Sequence, residues 1–201
     1  RDASVVSLRA KDPAQFDFVA GQYLTFRHVS DTGEELRRSY SLCSAPSGGV
    51  LQVGIKRVEG GAFSSWANDR LRAGMTLEAM EPMGGFHQPF ADSQAARSYL
   101  AFAVGSGITP ILSILCTLLE DEPNSRFTLV FANRSINTIM FRDELEDLKN
   151  RFLGRLNIVH ILKTSGDDAE LFQGRLDRDK CEALFAQWID VARADRAYIC
   201  G

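Results

Sequence analysis

The hydrophobic pattern of this sequence changes near residue 92, and this change limits the fold more than any other feature. Before it, short apolar runs alternate with turn residues, a pattern typical of antiparallel strands joined by hairpins. After it, continuous apolar runs alternate with segments of helical periodicity, which indicates a parallel sheet covered by helices. The sequence therefore predicts two domains: an antiparallel β-barrel or β-sandwich over residues 1–92, followed by an α/β domain with a parallel sheet over residues 97–201.

The apolar periodicity also predicts where the elements lie. In the first domain it predicts one helix over residues 62–71 and strands over residues 5–8, 22–29, 37–42, 50–58 and 75–80. In the second it predicts strands over residues 99–104, 127–132, 156–162 and 197–200 and helices over residues 110–119, 138–152 and 180–189. Ser64 or Ser65 is expected to cap the helix of the first domain.

Charge and hydropathy argue against several functional classes. The formal net charge is −3, from 23 basic and 26 acidic residues, so there is no basic excess for binding nucleic acid or an anionic membrane surface. The uncharged run from Ser98 to Leu119 is about as long as the roughly 20 residues of a membrane span, but Gly105, Gly107 and Pro110 interrupt it. With 4 cysteines in 201 residues a disulfide-stapled secreted domain is not expected, and residues 1–10 carry charges where a signal peptide would be apolar. We therefore expect a cytoplasmic protein.

Neither the cysteines nor the histidines are spaced as metal ligands. The 4 cysteines form no C-x-x-C pair, which argues against a zinc or iron–sulfur centre made by these residues alone. The 3 histidines have no partner at ligand or triad spacing. We therefore expect no metal site in this sequence. The residues concerned are Cys43, Cys116, Cys181 and Cys200, and His28, His87 and His160.

A glycine-rich turn joins the first strand of the second domain to its first helix. Gly105 and Gly107 let a ligand approach the backbone closely, and Pro110 suits the first turn of a helix. The N–H groups and the dipole of that helix favour a phosphate or a dinucleotide. Because Pro110 stands where the Rossmann fingerprint has its third glycine, a tight turn without a ligand is the alternative interpretation.

The second strand of this domain ends at Asn133-Arg134-Ser135. An NAD-specific fingerprint would place an acidic residue here, where it binds the ribose. Arg134 instead suits the 2′-phosphate of NADPH, and Arg142 is a second candidate for the same group. We therefore expect NADPH rather than NADH, with a solvated surface arginine as the alternative interpretation.

Two motifs of the first domain indicate another anion site. The motif Arg38-Ser39-Tyr40-Ser41 lies on a predicted strand, and residues 60–65 open the predicted helix with two glycines. An arginine together with a helix N-terminus can hold a pyrophosphate, while ordinary side chains of a half-exposed strand are the alternative. Two anion sites in two domains predict two nucleotides, or one nucleotide and a second cofactor.

In their order and approximate spacing, these motifs resemble those of the ferredoxin–NADP⁺ reductase superfamily. The resemblance covers nearly the whole chain and is closest to the oxygenase-reductase branch, which includes the reductase component of phenylacetyl-CoA epoxygenase in phenylacetate degradation. It implies a β-barrel that binds FAD and an α/β domain that binds a nicotinamide nucleotide. The motifs are Arg38-x-Tyr40-Ser41, Gly61-x-x-Ser64, Gly105-x-Gly107-x-x-Pro110 and Tyr198-Ile199-Cys200-Gly201, with residues 56–61, 133–134 and 140–145 pointing to the branch.

The resemblance assigns several residues of the first domain to FAD. Arg38 is expected to neutralise the pyrophosphate, Tyr40 to lie against the isoalloxazine ring, and Ser41 to hydrogen-bond near flavin N5. The other expected contacts are Ser39, the backbone of Ile55, Lys56 and Val58, and the phosphate-binding residues Gly61, Ala62, Phe63, Ser64 and Ser65.

In the second domain the resemblance assigns residues to NADPH. Thr109 is expected to reach toward the nicotinamide, and Cys200 to lie beside the carbon that gives up the hydride. Tyr40, Ser41 and Cys200 are thus the expected catalytic residues. The other expected nucleotide contacts are Gly105, Gly107, Pro110, Asn133, Arg134 and Gly201.

The expected function is that of an FAD-dependent reductase that oxidises NADPH and passes electrons to an iron–sulfur protein or domain. In the resembled reductases this acceptor is a [2Fe–2S] domain that feeds an oxygenase component, and its cysteines are absent from this sequence. A stand-alone ferredoxin or flavin reductase and a non-catalytic dinucleotide-binding module are the alternatives. The family motifs also imply that the first barrel strand and the C-terminal end of the second domain lie outside these residues.

Overall fold

The computed structural model describes residues 2–30, 32–87, 92–164 and 169–201. The chain divides into two compact units, Arg1–Pro89 with Leu112–Thr117, and Phe90–Ile111 with Leu118–Gly201. The strands of the first unit are antiparallel and those of the second are parallel, which confirms the predicted order of the two fold classes. The domain boundaries at residues 92 and 97 stay predictions.

The described residues of Arg1–Pro89 form two antiparallel sheets and one α-helix. The strands are β1 (Ala3–Leu8), β2 (Tyr23–Val29), β3 (Glu35–Ser41), β4 (Leu51–Lys56) and β5 (Glu78–Ala79), and the helix is α1 (Ala62–Arg70). Strand β1 pairs with β4, and β2 lies between β3 and β5. A bridge between Leu42 and Val53 connects the sheets. Their inward side chains and one face of α1 form the core: Leu24, Phe26, Leu42, Leu51, Val53, Ile55, Phe63 and Ala67.

Neither Ser64 nor Ser65 caps α1, so that prediction is wrong. Gly61 is the N-cap and makes no side-chain capping bond. The Ser64 hydroxyl accepts from the Val58 N–H at 3.1 Å and donates to the Gly61 carbonyl at 3.3 Å. A side chain in the first turn points back toward the N-terminus of its helix, so Ser64 stabilises the preceding turn from inside α1.

The second unit is a four-stranded parallel sheet in the order β8, β7, β6, β9. Its strands are β6 (Ser98–Val104), β7 (Arg126–Asn133), β8 (Leu156–Leu162) and β9 (Arg196–Cys200). The helices between these strands are α2 (Ile108–Asp121), α3 (Arg142–Arg151) and α4 (Arg178–Gln187). Within the described ranges, no helix combines the length and hydrophobicity needed to cross a membrane.

Helix α3 is shorter than the predicted range 138–152. A capping box closes a short turn between Ser135 and Thr138, and Phe141 then adopts φ 58° and ψ 30°. A residue in this left-handed region cannot continue a right-handed helix, so α3 begins at Arg142. Apolar periodicity overextends the helix because the turn before it also carries apolar residues.

A buried carboxylate holds the N-terminal ends of strands β6 and β7 together. Glu122 is 3% exposed and accepts hydrogen bonds from the Tyr99 hydroxyl at 2.7 and 2.8 Å and from the Ser125 hydroxyl at 2.7 Å. Its carboxylate also lies 3.4 Å from the Arg97 guanidinium. Burial, and then the bond to Glu122, raises the pKa of Tyr99, so its hydroxyl stays a donor. The charge is tolerated because donors surround it.

We expect Glu122→Gln to lower the free energy of unfolding by about 2–4 kcal/mol, because the amide turns one acceptor into a donor that faces other donors. Urea denaturation followed by circular dichroism measures the change. Glu120→Gln is the matched control in the last turn of α2, two residues before Glu122, since Glu120 pairs with Arg151 at the surface at 3.0 Å and its loss should cost less than about 1 kcal/mol. Equal losses in the two variants would contradict the role of Glu122.

Candidate functional site

The predicted phosphate site of the first unit lies at the N-terminus of α1. The first helical bond runs from the Ser65 N–H to the Gly61 carbonyl at 3.0 Å, so the N–H groups of residues 62–64 precede the helical ladder and can face an anion. A Cβ on Gly61 would lie 2.6 Å from the Ser64 hydroxyl and 3.0 Å from the Val58 carbonyl, so a side chain here would disturb the turn. The backbone of this segment therefore fits a phosphate group.

Three predicted FAD contacts can meet a ligand only through their backbone. The side chains of Ile55 and Phe63 are buried in the core of the first unit, and that of Ser64 is buried in the turn before α1. Val58, in contrast, is exposed, and the Lys56 ammonium lies 4.0 Å from Asp2. The sequence-based assignment of backbone contacts to this segment is thus compatible with the packing.

Strand β3 presents Arg38 and Tyr40 on one face and Ser39 and Ser41 on the other, because side chains alternate along a strand. The Tyr40 ring is half-buried, with its centroid 5.5 Å from Phe63, and burial raises the pKa of its hydroxyl. The Arg38 guanidinium is exposed and donates to its neighbour's carbonyl at 2.7 Å. The structure therefore places an aromatic ring and a cation on the same face of one strand.

Phe26 was not predicted as part of this site. Its ring centroid lies 6.2 Å from that of Tyr40, so it supports the tyrosine from strand β2. The only signal in the sequence is its alternation with Leu24, which marks both as inward-facing strand residues. That signal identifies a core residue but does not connect it to a ligand.

In the second unit, the glycine turn after β6 meets the last residues of the chain. Strand β9 runs beside β6 and ends at Cys200. A Cβ on Gly107 would overlap the Cys200 carbonyl, and a Cβ on Gly201 would lie 2.6 Å from the Cβ of Val104. Close packing of protein backbone therefore requires the glycine at position 107, a reason that applies whether or not a ligand also approaches this turn.

Helix α2 begins beside this contact. Gly107 is its N-cap and supplies no side-chain capping bond. Thr109 is buried, and its hydroxyl donates to the Ser106 carbonyl at 3.0 Å. Pro110 lies in the first turn, as predicted. Because this helix starts at the carboxyl edge of the parallel sheet, its N–H groups face the side on which α/β sheets bind ligands.

Asn133, at the end of β7, carries a buried amide without partners. The residue is 8% exposed, yet neither its Oδ1 nor its Nδ2 has a hydrogen-bond partner in the described part of the chain. An unsatisfied buried polar group costs about 1–3 kcal/mol. Asn133 lies at the carboxyl edge, one residue beyond the pair formed by Ala132 and Val104 of β6. The residues of this edge therefore fit a polar ligand such as a nicotinamide nucleotide.

The two arginines considered for the 2′-phosphate differ in their surroundings. Arg134 is exposed, and its carbonyl accepts from the Thr164 N–H at 2.9 Å and hydroxyl at 2.8 Å, which holds the backbone after β7 in place. The guanidinium of Arg142 pairs with Glu146 at 3.1 Å. Arg134 is therefore the better candidate for an added phosphate.

Cys200 is partly buried, and burial raises the pKa of its thiol. The sulfur therefore stays protonated near pH 7, which makes it a neutral packing group rather than a nucleophile. All 4 cysteines are free thiols. Among the described residues, no group of three or more His, Cys, Asp or Glu could hold a metal ion.

Comparison with known protein families identifies both units. Residues 1–88 match the oxidoreductase FAD-binding domain, and residues 102–201 match the oxidoreductase NAD-binding domain. The chain belongs to the ferredoxin–NADP⁺ reductase superfamily. This confirms the resemblance carried by the sequence motifs, and with it FAD and a nicotinamide nucleotide as the cofactors of this reductase chain.

Two curated relatives are parts of an epoxidase and of a monooxygenase. The chain is 44% identical over 204 residues to a component of the 1,2-phenylacetyl-CoA epoxidase of Escherichia coli strain K12, a match that covers 100% of this chain and 56% of the relative. It is 34% identical to the ferredoxin reductase component of 3-ketosteroid-9-alpha-monooxygenase of Rhodococcus rhodochrous, covering 93% of this chain and 49% of the relative. The chain thus spans about half the length of the curated relatives it matches.

Solved structures agree with the fold. The Amycolatopsis cytochrome P450 reductase GcoB superposes with a TM-score of 0.78 at 26% identity, over 98% of this chain and 56% of that one. The cytochrome b5 reductase domain of Ulva prolifera nitrate reductase superposes with a TM-score of 0.79 at 22% identity, over 100% of this chain and 81% of that one. The second likeness shows the fold alone.

We expect Gly107→Ala to lower the free energy of unfolding by about 2 kcal/mol or more, because the methyl group would displace the Cys200 backbone. Urea denaturation measures this loss. Gly85→Ala is the control, since nothing lies within 4 Å of a Cβ at that position and its effect should stay within about 0.5 kcal/mol. A Gly107→Ala variant as stable as the parent would show that the close approach is not required.

Proposed function

We propose that this chain is the FAD- and nucleotide-binding part of an NADPH-dependent reductase that passes electrons to an iron–sulfur protein or domain serving an oxygenase component. The observation that most supports this is the 44% identity, across the whole chain, to the component of 1,2-phenylacetyl-CoA epoxidase. Because the chain spans 56% of that relative, we place the iron–sulfur acceptor in a further segment or a separate protein. The cytoplasm is the proposed location, where the free thiols of this chain stay reduced.

When bound, the nicotinamide and the flavin supply hydride and electron transfer. The residues of the first unit bind the flavin cofactor and orient its ring. The N–H groups at the start of α1 and the Arg38 guanidinium balance the negative charge of a pyrophosphate. Tyr40, supported by Phe26 and Phe63, presents a ring against which a flat cofactor can lie. Ser41, at the end of β3, is the proposed hydrogen-bond donor near the flavin.

The residues of the second unit hold the nucleotide at the carboxyl edge of the sheet. The α2 N-terminus favours its phosphates, and the Asn133 amide, which has both a donor and an acceptor to satisfy, hydrogen-bonds its polar groups. The neutral thiol of Cys200 borders the place proposed for the nicotinamide and excludes water without reacting. Positioning and charge, rather than a proton-transferring dyad, are the proposed contribution of the protein.

The purified protein tests this proposal directly. It is expected to take up FAD, to show a flavin absorption band that NADPH bleaches under anaerobic conditions, and to reduce ferricyanide with NADPH as the donor. A protein that takes up no FAD contradicts the whole proposal. A protein that binds FAD but is not reduced by either nicotinamide nucleotide leaves the family assignment intact and contradicts the reductase function.

We expect Arg134→Ala to raise the KM for NADPH about tenfold, the loss typical of one hydrogen bond to a charged group, and to leave the KM for NADH unchanged. Steady-state kinetics with both nucleotides measures this. Arg193→Ala is the control, because Arg193 is an exposed arginine that pairs with Asp190 at 2.9 Å. Equal efficiency with NADPH and NADH in the parent, unchanged by Arg134→Ala, would rule out 2′-phosphate recognition by this residue.

A further inference from the structure

Strand β8 has an open stretch on its outer edge. It is an edge strand among the described residues, since it pairs along its length only with β7. The Arg155 carbonyl accepts a hydrogen bond from the Phe127 N–H of β7, and the Lys163 N–H donates one to the Asn133 carbonyl of β7. Because bonds of a parallel ladder come from every second residue, the odd-numbered residues of β8 bond to β7. Ile158 and His160 therefore direct their N–H and C=O groups away from the sheet.

The protein's own chain closes both ends of this edge. The Leu156 N–H donates to the Phe152 carbonyl at 3.0 Å, and the Leu162 carbonyl accepts from the Gly174 N–H at 3.0 Å. Between these bonds lie the backbone donors and acceptors of Ile158 and His160, for which the described ranges offer no partner. The open stretch is thus short, and its ends are defined.

A cleft of about 360 Å³ runs along this stretch and has an apolar wall on each side of the strand. Ile136 and Ile139, just before α3, line one side, and Phe172 and Trp188 line the other. Trp188 is 56% exposed and packs edge-on against Phe172 at 5.4 Å. Side chains of an added strand would alternate between the two faces, so each would meet one of these walls.

The charges at the cleft favour an acidic occupant. Arg142 and Glu146 line it as an ion pair. The pKa of His160 is lowered by burial, and then by Arg142 and Lys149, with Glu146 opposing. Two cations and one acid thus lie close enough to His160 to act on its charge. The His160 Nδ1 is also buried without a partner in the described residues.

We propose that this cleft binds an extended, acidic polypeptide segment of a partner protein, which adds an antiparallel strand to β8. Its backbone pairs with Ile158 and His160, an acidic side chain faces Arg142, and an apolar side chain packs against Phe172 and Trp188. Strand addition of this kind combines backbone hydrogen bonds with pockets for alternate side chains. A second copy of this chain fits less well, because its own β8 lies between the same two walls and cannot enter the cleft.

Peptide titration of the full chain, followed by Trp188 fluorescence and by anisotropy of labelled peptide, tests the proposal. The probe is a capped hexapeptide that alternates glutamate and valine. In antiparallel pairing, the peptide residues directly opposite Ile158 and His160 form the backbone hydrogen bonds, and their side chains lie on the same face as those of Ile158 and His160. Glutamates occupy these positions of the peptide. N-methylation of the glutamate nitrogens should weaken binding about tenfold, whereas N-methylation of the valine nitrogens, which point outward, should change it less than about threefold.

Charge is tested with a lysine-for-glutamate peptide, which should bind about tenfold more weakly, and with Arg142→Gln, which should weaken the glutamate peptide about threefold. Arg178→Gln is the matched control, since Arg178 forms the same i,i+4 pair with Glu182 on α4 at 2.8 Å; it should leave binding unchanged.

Three results would overturn the proposal. They are the absence of saturable peptide binding below about 1 mM, equal affinity for the glutamate and lysine peptides, and unchanged affinity after both kinds of N-methylation. Competition by NADP⁺ would assign the cleft to the nucleotide site, and dimerisation in sedimentation analysis would assign it to a second copy; either result also overturns it.

Discussion

The carboxyl edge of the parallel sheet depends on the absence of a side chain at residue 107. Because Gly107 has no Cβ, the backbone at Cys200 packs directly against the turn that starts α2. This contact brings three separate parts of the sequence together: the end of β6, the first turn of α2 and the end of β9. The buried amide of Asn133 ends the neighbouring strand at the same edge. Any side chain at position 107 would push these parts away from one another.

The two units use the same local design at their anion sites. In each, a glycine is the N-cap of a helix and no side chain caps it. In each, a hydroxyl of the first turn donates back to the carbonyl three residues earlier, Ser64 to Gly61 and Thr109 to Ser106. These bonds stabilise the turn and leave the first N–H groups of the helix without side-chain acceptors. At α1 the N–H groups of residues 62–64 therefore stay available to a phosphate, whereas at α2 the Ile108 N–H already donates to the Gly105 and Ser106 carbonyls.

Much of the architecture could be predicted because the hydrophobic pattern is local and regular. The bounds of β8 match the predicted range, and α1 ends one residue before its predicted end. The errors lie where local chemistry competes with periodicity. Ser64 turns its hydroxyl toward Val58 instead of capping α1, and the left-handed backbone of Phe141 delays the start of α3. Neither conformation follows from residue type, because both depend on neighbours that the fold supplies.

The two fold classes, their order and the motifs of an FAD- and nucleotide-binding oxidoreductase all follow from the order of the amino acids. These properties depend on periodicity and on short ordered motifs, which are local along the chain. Three other features depend on the folded chain: Gly107 allows close packing with Cys200, the buried Asn133 amide has no partner among the described residues, and Ile158 and His160 leave a strand edge that no described residue covers. Each of these three features involves residues far apart in the sequence. The distances between such residues are set by how the folded chain packs, not by their separation along the sequence.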